Sequence, residues 1–233
     1  MATEKIALVT GANKGIGYEI ARQLAAKGFR VLIGARNVEA GKQAAASIQK
    51  SGGAAEFVEI DVSNRASIEK AAKAVAGKAD HLDVLVNNAA IMEDNGSITE
   101  VDDDTLLRTF TTNVLGPLRV TQAFRPLLEK SGHASVMNLS SGLGQLNDMG
   151  DSNPAYSISK TALNAVTRQF AAALRGKGVT VNSVCPGWVK TDMGGPNAPR
   201  TVQQGADTVT WLATEAPRDL TGQFLRDRRV IPW

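Results

Sequence analysis

Cysteine is nearly missing from this chain: Cys185 stands alone, so no internal disulfide can staple it. It lies in the apolar stretch Val181 to Trp188, where a small buried hydrophobe is the default reading and a reactive thiol the alternative. Histidine is almost as scarce. His81 and His133 lie far apart with no ligand cluster near either, so no metal site is expected. No apolar run approaches the ~18 residues of a membrane span. The opening Met1-Ala2-Thr3-Glu4-Lys5 has neither a basic start nor a long apolar core, so no secretory leader is expected. Charge of one sign is lacking too: the net charge is only +3, although the pI is 9.1, and the basic residues are scattered. The one local cluster, Arg226, Arg228 and Arg229, reads as a solvated surface turn, with contact to acid groups of a partner as the other reading. No nucleic-acid module signature is present, so nucleic-acid binding is not expected. The expectation is a soluble, reduced, cytoplasmic protein.

What is present suits one large core. A hydrophobic content of 43% and a charged content of 21% are those of an ordinary globular protein, and 233 residues fit a single α/β domain. Short apolar runs alternate with amphipathic stretches throughout. Strands are expected at 5–10, 30–35, 54–60, 82–86, 134–140, 179–184 and 223–225. Helices are expected at 16–27, 38–51, 65–77, 102–129, 154–175 and 201–214. Strands alternating with helices make βαβ units with right-handed crossovers. The strands are continuous Val/Ile/Leu/Ala runs, as a parallel sheet covered on both faces requires. The reading is a doubly wound parallel sheet of about seven strands with helices on both faces.

The segment Thr10-Gly11-Ala12-Asn13-Lys14-Gly15-Ile16-Gly17 follows the apolar run Ile6 to Val9 and opens a helix-like stretch. A strand, a glycine turn and a helix start are what a dinucleotide pyrophosphate needs, which makes the sheet Rossmann-type. Gly11 permits the tight turn, Gly15 lets backbone approach the pyrophosphate, and Gly17 lets the helix pack close to the sheet. A glycine loop without a ligand is the bland alternative. Further on, Tyr156 and Lys160 in Tyr156-Ser157-Ile158-Ser159-Lys160 are one helical turn apart and share a face. A phenol titrates near pKa ~10, and a cation beside it brings that value toward the working range. Alone the pair is a weak signal; beside the glycine loop it points to proton transfer.

Cofactor choice is written at the end of the second strand. Selectivity for NAD places a carboxylate there, whereas this chain has Ala35 and Arg36, with Lys14 in the glycine loop. Two cations and no acid suit a 2′-phosphate, so NADP(H) is expected; side chains pointing into water are the alternative.

On these residues the chain resembles the short-chain dehydrogenase/reductase family over nearly its whole length. Gly11 to Gly17 together with Ala35-Arg36-Asn37 is similar to its carbonyl reductase branch in particular. The resemblance implies cofactor contacts from Gly11, Asn13, Lys14, Gly15, Ile16, Gly17 and Arg36. It implies adenine contacts from Asp61 and Val62, further contacts from Asn88 and Ala89, and nicotinamide contacts from Pro186, Gly187, Val189 and Thr191. Ala90 replaces the glycine usual after Asn87-Asn88-Ala89, and Arg228-Arg229 stand where a glycine pair is common.

The catalytic set that it implies is Asn113, Ser141, Tyr156 and Lys160. Tyr156 would donate a proton to a substrate carbonyl, and Ser141 would hold its oxygen. Lys160 would lower the tyrosine pKa and bind the nicotinamide ribose. Asn113 would hold a water that relays protons to Lys160. Two glycine- and proline-rich loops, 142–153 and 187–200, follow strand ends and supply Leu143, Leu146, Met149, Trp188 and Met193 as an apolar substrate pocket. The expected activity is NADPH-dependent reduction of a ketone or aldehyde. A 3-oxoacyl carrier-protein reductase is the alternative, and a non-catalytic NADP(H)-sensing regulator a third reading. Only 14 residues separate Ser141 from Tyr156, so the long insertion that keeps some carbonyl reductases monomeric is absent. Apolar Ala155, Ile158, Ala162, Leu163, Ala165, Val166 and Phe170 exceed one buried helix face, so a homotetramer or homodimer is expected. In that assembly Trp233 would pack across a further interface or close onto its own sheet.

Overall fold

The computed structural model describes residues 4–94 and 96–233. Seven parallel strands form one sheet: β1 (Lys5–Thr10), β2 (Phe29–Ala35), β3 (Ala54–Glu59), β4 (Val84–Asn87), β5 (Ala134–Leu139), β6 (Val179–Val184) and β7 (Phe224–Arg226). An eighth, β8 (Arg229–Val230), turns back antiparallel on β7. The order is β3-β2-β1-β4-β5-β6-β7-β8, so the winding reverses between β1 and β4. Loops diverge at such a reversal and leave a crevice beyond the strand C-termini.

Successive strand residues point to opposite faces, which sorts the core into two layers. Ala7, Val9, Val31, Ile33, Val86 and Met137 pack under α1 (Gly15–Ala26), α2 (Val38–Lys50) and α7 (Val202–Thr214). Ile6, Leu8, Leu32, Leu85, Val136 and Val181 face the opposite way. They meet α3 (Arg65–Ala76), α5 (Gly116–Ser131) and the end of α6 (Pro154–Ala173) through Ile68, Val75, Phe124, Leu128 and Ala171. The doubly wound architecture with helices on both faces stands as expected, with eight strands in place of about seven. The two-residue β8 is too short to leave a periodic signal.

The helix expected at 102–129 is interrupted. It consists of α4 (Asp103–Phe110), a π-helical turn at Thr111–Leu115, and α5. Asp102 caps α4 by accepting the Thr105 N–H at 2.8 Å. The interruption follows from Pro117, which has no N–H to return to the carbonyl four residues back, that of Asn113, and whose ring clashes with it. One widened turn removes the clash and sets Asn113 at the bulge.

The C-terminal tail closes on its own chain. Trp233 stacks on Phe224 with centroids 5.6 Å apart, and the Arg168 guanidinium lies 5.5 Å from the Trp233 ring. The Gln145 side-chain amide donates to the Pro232 carbonyl at 2.8 Å, and the Leu146 N–H donates to the Trp233 carbonyl. The expectation that Trp233 reaches across an interface is therefore corrected in favour of its own sheet. Among the described residues, no helix is long and apolar enough to cross a membrane.

Candidate active site

A cleft of about 1370 Å³ opens at the winding reversal, over the C-terminal ends of β1, β2, β4, β5 and β6. Its first wall is the glycine loop. Gly11 and Gly15 take φ of 64° and 61°, which an L side chain adopts only with strain. Gly17 has no such φ, but a Cβ there would collide with Asn88 Nδ2 and the Gly11 carbonyl. The same Asn88 amide donates to the Thr10 and Gly11 carbonyls at 2.9 and 3.1 Å, while Thr10 Oγ1 accepts from Asn88 N–H at 3.0 Å. The turn after β1 is thus fastened to the end of β4. At the start of α1, Lys14 holds the N-cap position without a capping side chain, and the first turn contains no acid. Free N–H groups and the positive end of the helix dipole face the cleft there, an arrangement that suits a pyrophosphate.

Arg36 and Asn37 line the next part of the wall. Asn37 caps α2 by accepting the Ala40 N–H at 2.9 Å, which leaves Arg36 in the cleft with no carboxylate partner among the described residues. Asp61, Val62 and Ser63 stand beside it; Asp61 Oδ1 accepts from the Ser63 N–H and hydroxyl. Lys14 departs from expectation. It is not a free cation but pairs with Asp192 at 2.5 Å across the cleft, an acid 178 residues away.

Tyr156 and Lys160 project from α6 on one face, with Lys160 Nζ 5.3 Å from the centre of the phenol ring. Tyr156 is 8% exposed and Lys160 2%. Lys160 Nζ donates to the Leu139 carbonyl at 2.7 Å. Burial governs both titrations. It pushes the phenol up to about 12, against the Ser141 hydroxyl, which pulls it down; and it pushes the Lys160 ammonium down to about 7. Lys160 lies over the ring face and is itself desolvated.

Asn113, Ser141, Tyr156 and Lys160 come together, but Asn113 lies behind the cleft wall. Its Nδ2 donates to Ser159 Oγ at 3.1 Å and to the Ile91 carbonyl at 2.8 Å, while Oδ1 accepts the Ile91 N–H. Ser159 in turn donates to the Tyr156 carbonyl at 2.7 Å. The Asn113 side chain therefore fixes the loop after β4 to the tyrosine helix. Asp94 adds a second tie: Oδ2 accepts the Ala155 N–H at 2.7 Å, and its carbonyl accepts from the Asn153 amide.

The remaining expected contacts divide. Asn13, Ile16, Ala89, Pro186, Gly187, Val189 and Thr191 line the cleft, as do Leu143, Trp188 and Met193. Leu146 and Met149 do not. Leu146 is 68% exposed, its backbone taken by the C-terminal tail. In their place the cleft has Ile91, Met92 and Asn153, which the sequence reading missed. Ile91 and Met92 directly follow Asn87-Asn88-Ala89-Ala90, the only local signal that they had. Arg226 is exposed, as a solvated turn implies, and also edges the cleft.

Residues 5–201 match the family model for short chain dehydrogenases. Carbonyl reductase [NADPH] 1 of Mus musculus is 32% identical, with 100% of this chain and 99% of that protein covered. That alignment runs over 283 positions against the 233 residues here, so the mouse protein carries segments that this chain lacks. Among solved structures, NADPH-bound carbonyl reductase from chicken fatty liver superposes with a TM-score of 0.90 at 30% identity. Carbonyl reductase Sniffer of D. melanogaster superposes with 0.91 at 30%; both cover 100% of either chain.

Proposed function

Because the chain belongs to the short chain dehydrogenase family, we propose that it reduces a ketone or aldehyde to an alcohol with NADPH, Tyr156 serving as proton donor. The observation that carries this reading is the placement of Tyr156 and Lys160 on one wall of a cleft whose other wall is an uncapped, glycine-opened helix start. A bound nicotinamide cofactor supplies a hydride to the carbonyl carbon. As charge builds on the carbonyl oxygen, Tyr156 gives it the phenolic proton and Ser141 holds it in place. A phenol pushed up to about 12 stays protonated at neutral pH, which is the form that a donor must have. Lys160, titrating near 7, is suited to returning a proton to Tyr156. Asn113 keeps the tyrosine helix in register with the Ile91 loop.

The backbone N–H groups at Gly15–Gly17 and the Lys14 side chain would hold the pyrophosphate, and Arg36 the 2′-phosphate. Asp61, Val62, Asn88 and Ala89 would receive the adenosine half, and Pro186, Gly187, Val189 and Thr191 the nicotinamide half. Leu143, Trp188 and Met193, with Ile91 and Met92, would enclose the substrate. NADPH is expected to exceed NADH in kcat/KM by at least tenfold, about 1.4 kcal/mol. Arg36→Ala should bring the two within a few-fold. Steady-state rates with both cofactors decide; equal wild-type efficiencies, or a ratio that Arg36→Ala leaves intact, refute the assignment.

The assembly belongs to the same proposal. Leu107 and Phe110 of α4 and Ile158 of α6 are exposed on helices that pack against each other. Covering them with a second copy gives a homodimer, or twice over a homotetramer. Light scattering at micromolar concentration should return a multiple of 24.6 kDa, whereas the mass of one chain contradicts it.

A further inference from the structure

Two cations lining the cleft, Lys190 and Arg226, are left without a task by the proposed reaction, and Arg226 is the one that stands beside Ser141. Arg226 is the last residue of β7. Leu225 pairs with Val184 and accepts the Cys185 N–H at 2.8 Å, so Arg226 emerges beside Cys185 at the C-terminal edge of the sheet. Its guanidinium lies over the backbone next to Ser141: a Cβ on Gly142 would stand 4.0 Å from Arg226 Nη1 and 3.9 Å from Cys185 Sγ.

The neighbouring charges are spent elsewhere. Asp227, the nearest acid in sequence, gives both oxygens to Arg200, at 3.1 and 2.5 Å. Arg228 pairs with both oxygens of Asp207. Along the cleft, Glu93 is paired with Arg108 and Asp192 with Lys14, while Asp61 stands beside Arg36 at the opposite end. No salt bridge reaches Arg226 among the described residues.

The turn that presents Arg226 is strained. Asp227 and Arg228 both take left-handed backbone, with φ of 52° and 60°, which glycine or asparagine would adopt at less cost. The two ion pairs just named, together with the Arg228 N–H donated to Thr208 Oγ1 at 3.1 Å, hold the turn in that conformation. Arg200 also packs its stem against Gly187, where any Cβ would collide with it, so the hairpin is tied to the cleft's own loop.

We infer that Arg226 is a specificity residue: it receives an anionic group of the substrate, so the preferred carbonyl compounds are oxo acids. This rests on the carbonyl-reductase reading and adds a substrate class to it. A guanidinium presents parallel N–H donors that match a carboxylate in two places.

The test separates the two claims. Benzoylformate and 4-oxo-4-phenylbutanoate, each beside its methyl ester, are titrated calorimetrically into protein saturated with NADP⁺, where no turnover occurs. At least one acid should bind at least tenfold more tightly than its ester, and Arg226→Gln should lower that acid-to-ester ratio by at least tenfold. Parity of both acids with their esters in the wild type overturns the inference, as does a ratio that survives Arg226→Gln. Carbonyl reduction is read separately from NADPH absorbance with the esters. Failure there counts against the reductase reading, while the binding ratio still decides the role of Arg226.

Discussion

Tyr156→Phe is expected to lower kcat/KM for carbonyl reduction by roughly 10³-fold, about 4 kcal/mol, with NADPH binding changed less than twofold. The ring is retained, so packing in the buried site is retained with it. Only the hydroxyl is lost, and with it the proton that a developing alkoxide needs. Because burial pushes the phenol up to about 12, no loss of donor form should appear in the wild-type reductive pH profile below about pH 10 on account of Tyr156. Steady-state kinetics and fluorescence titration of NADPH check the two halves. Turnover near the wild-type rate in the phenylalanine variant means that another group supplies the proton.

Lys160→Met should do two opposite things. Activity should fall by about 10²-fold or more, since the group suited to returning a proton to Tyr156 is gone. Stability should rise. The folded ammonium titrates at about 7, below the ordinary lysine value of 10.5, because burial disfavours its charged form. Between those values the unfolded chain binds a proton that the folded chain does not, so the lysine costs stability increasingly as pH falls from 10.5 toward 7, and in full below 7. Methionine removes that cost and loses one hydrogen bond to the Leu139 carbonyl. Thermal melts near pH 6 should therefore show the variant melting higher by roughly 5 °C, a gain that shrinks toward zero above pH 10.5. A variant less stable than wild type at pH 6 would mean that the Leu139 bond and the ring contact outweigh the burial cost.

What was legible in the sequence was local. The glycine loop, Arg36 after Ala35, and Tyr156 four residues before Lys160 each announce their geometry within one turn or one strand end, and each stands where expected. The order of elements was legible for the same reason, since short apolar runs and helical patterns do not depend on distant residues. The π-turn had a visible cause in Pro117, four residues after Asn113, but the unbroken amphipathic pattern concealed it. Contacts made by chain folding were not legible. The Lys14–Asp192 pair spans 178 residues, and the tail that takes the Leu146 backbone spans 87. Arg226 looked like part of a charged turn because Arg228 and Arg229 follow it. Only the pairing of β7 with β6 turns it toward the cleft.

The central claim is hydride delivery from NADPH to a carbonyl within the Tyr156 cleft. Its most direct measurement uses NADPH carrying deuterium at the transferable position, incubated with the protein and a reducible ketone, with the product read by mass spectrometry. The account predicts an alcohol with one deuterium on the carbinol carbon, formed by the wild type and suppressed at least 10³-fold in Tyr156→Phe. An alcohol without deuterium, or one formed equally by both proteins, would contradict it.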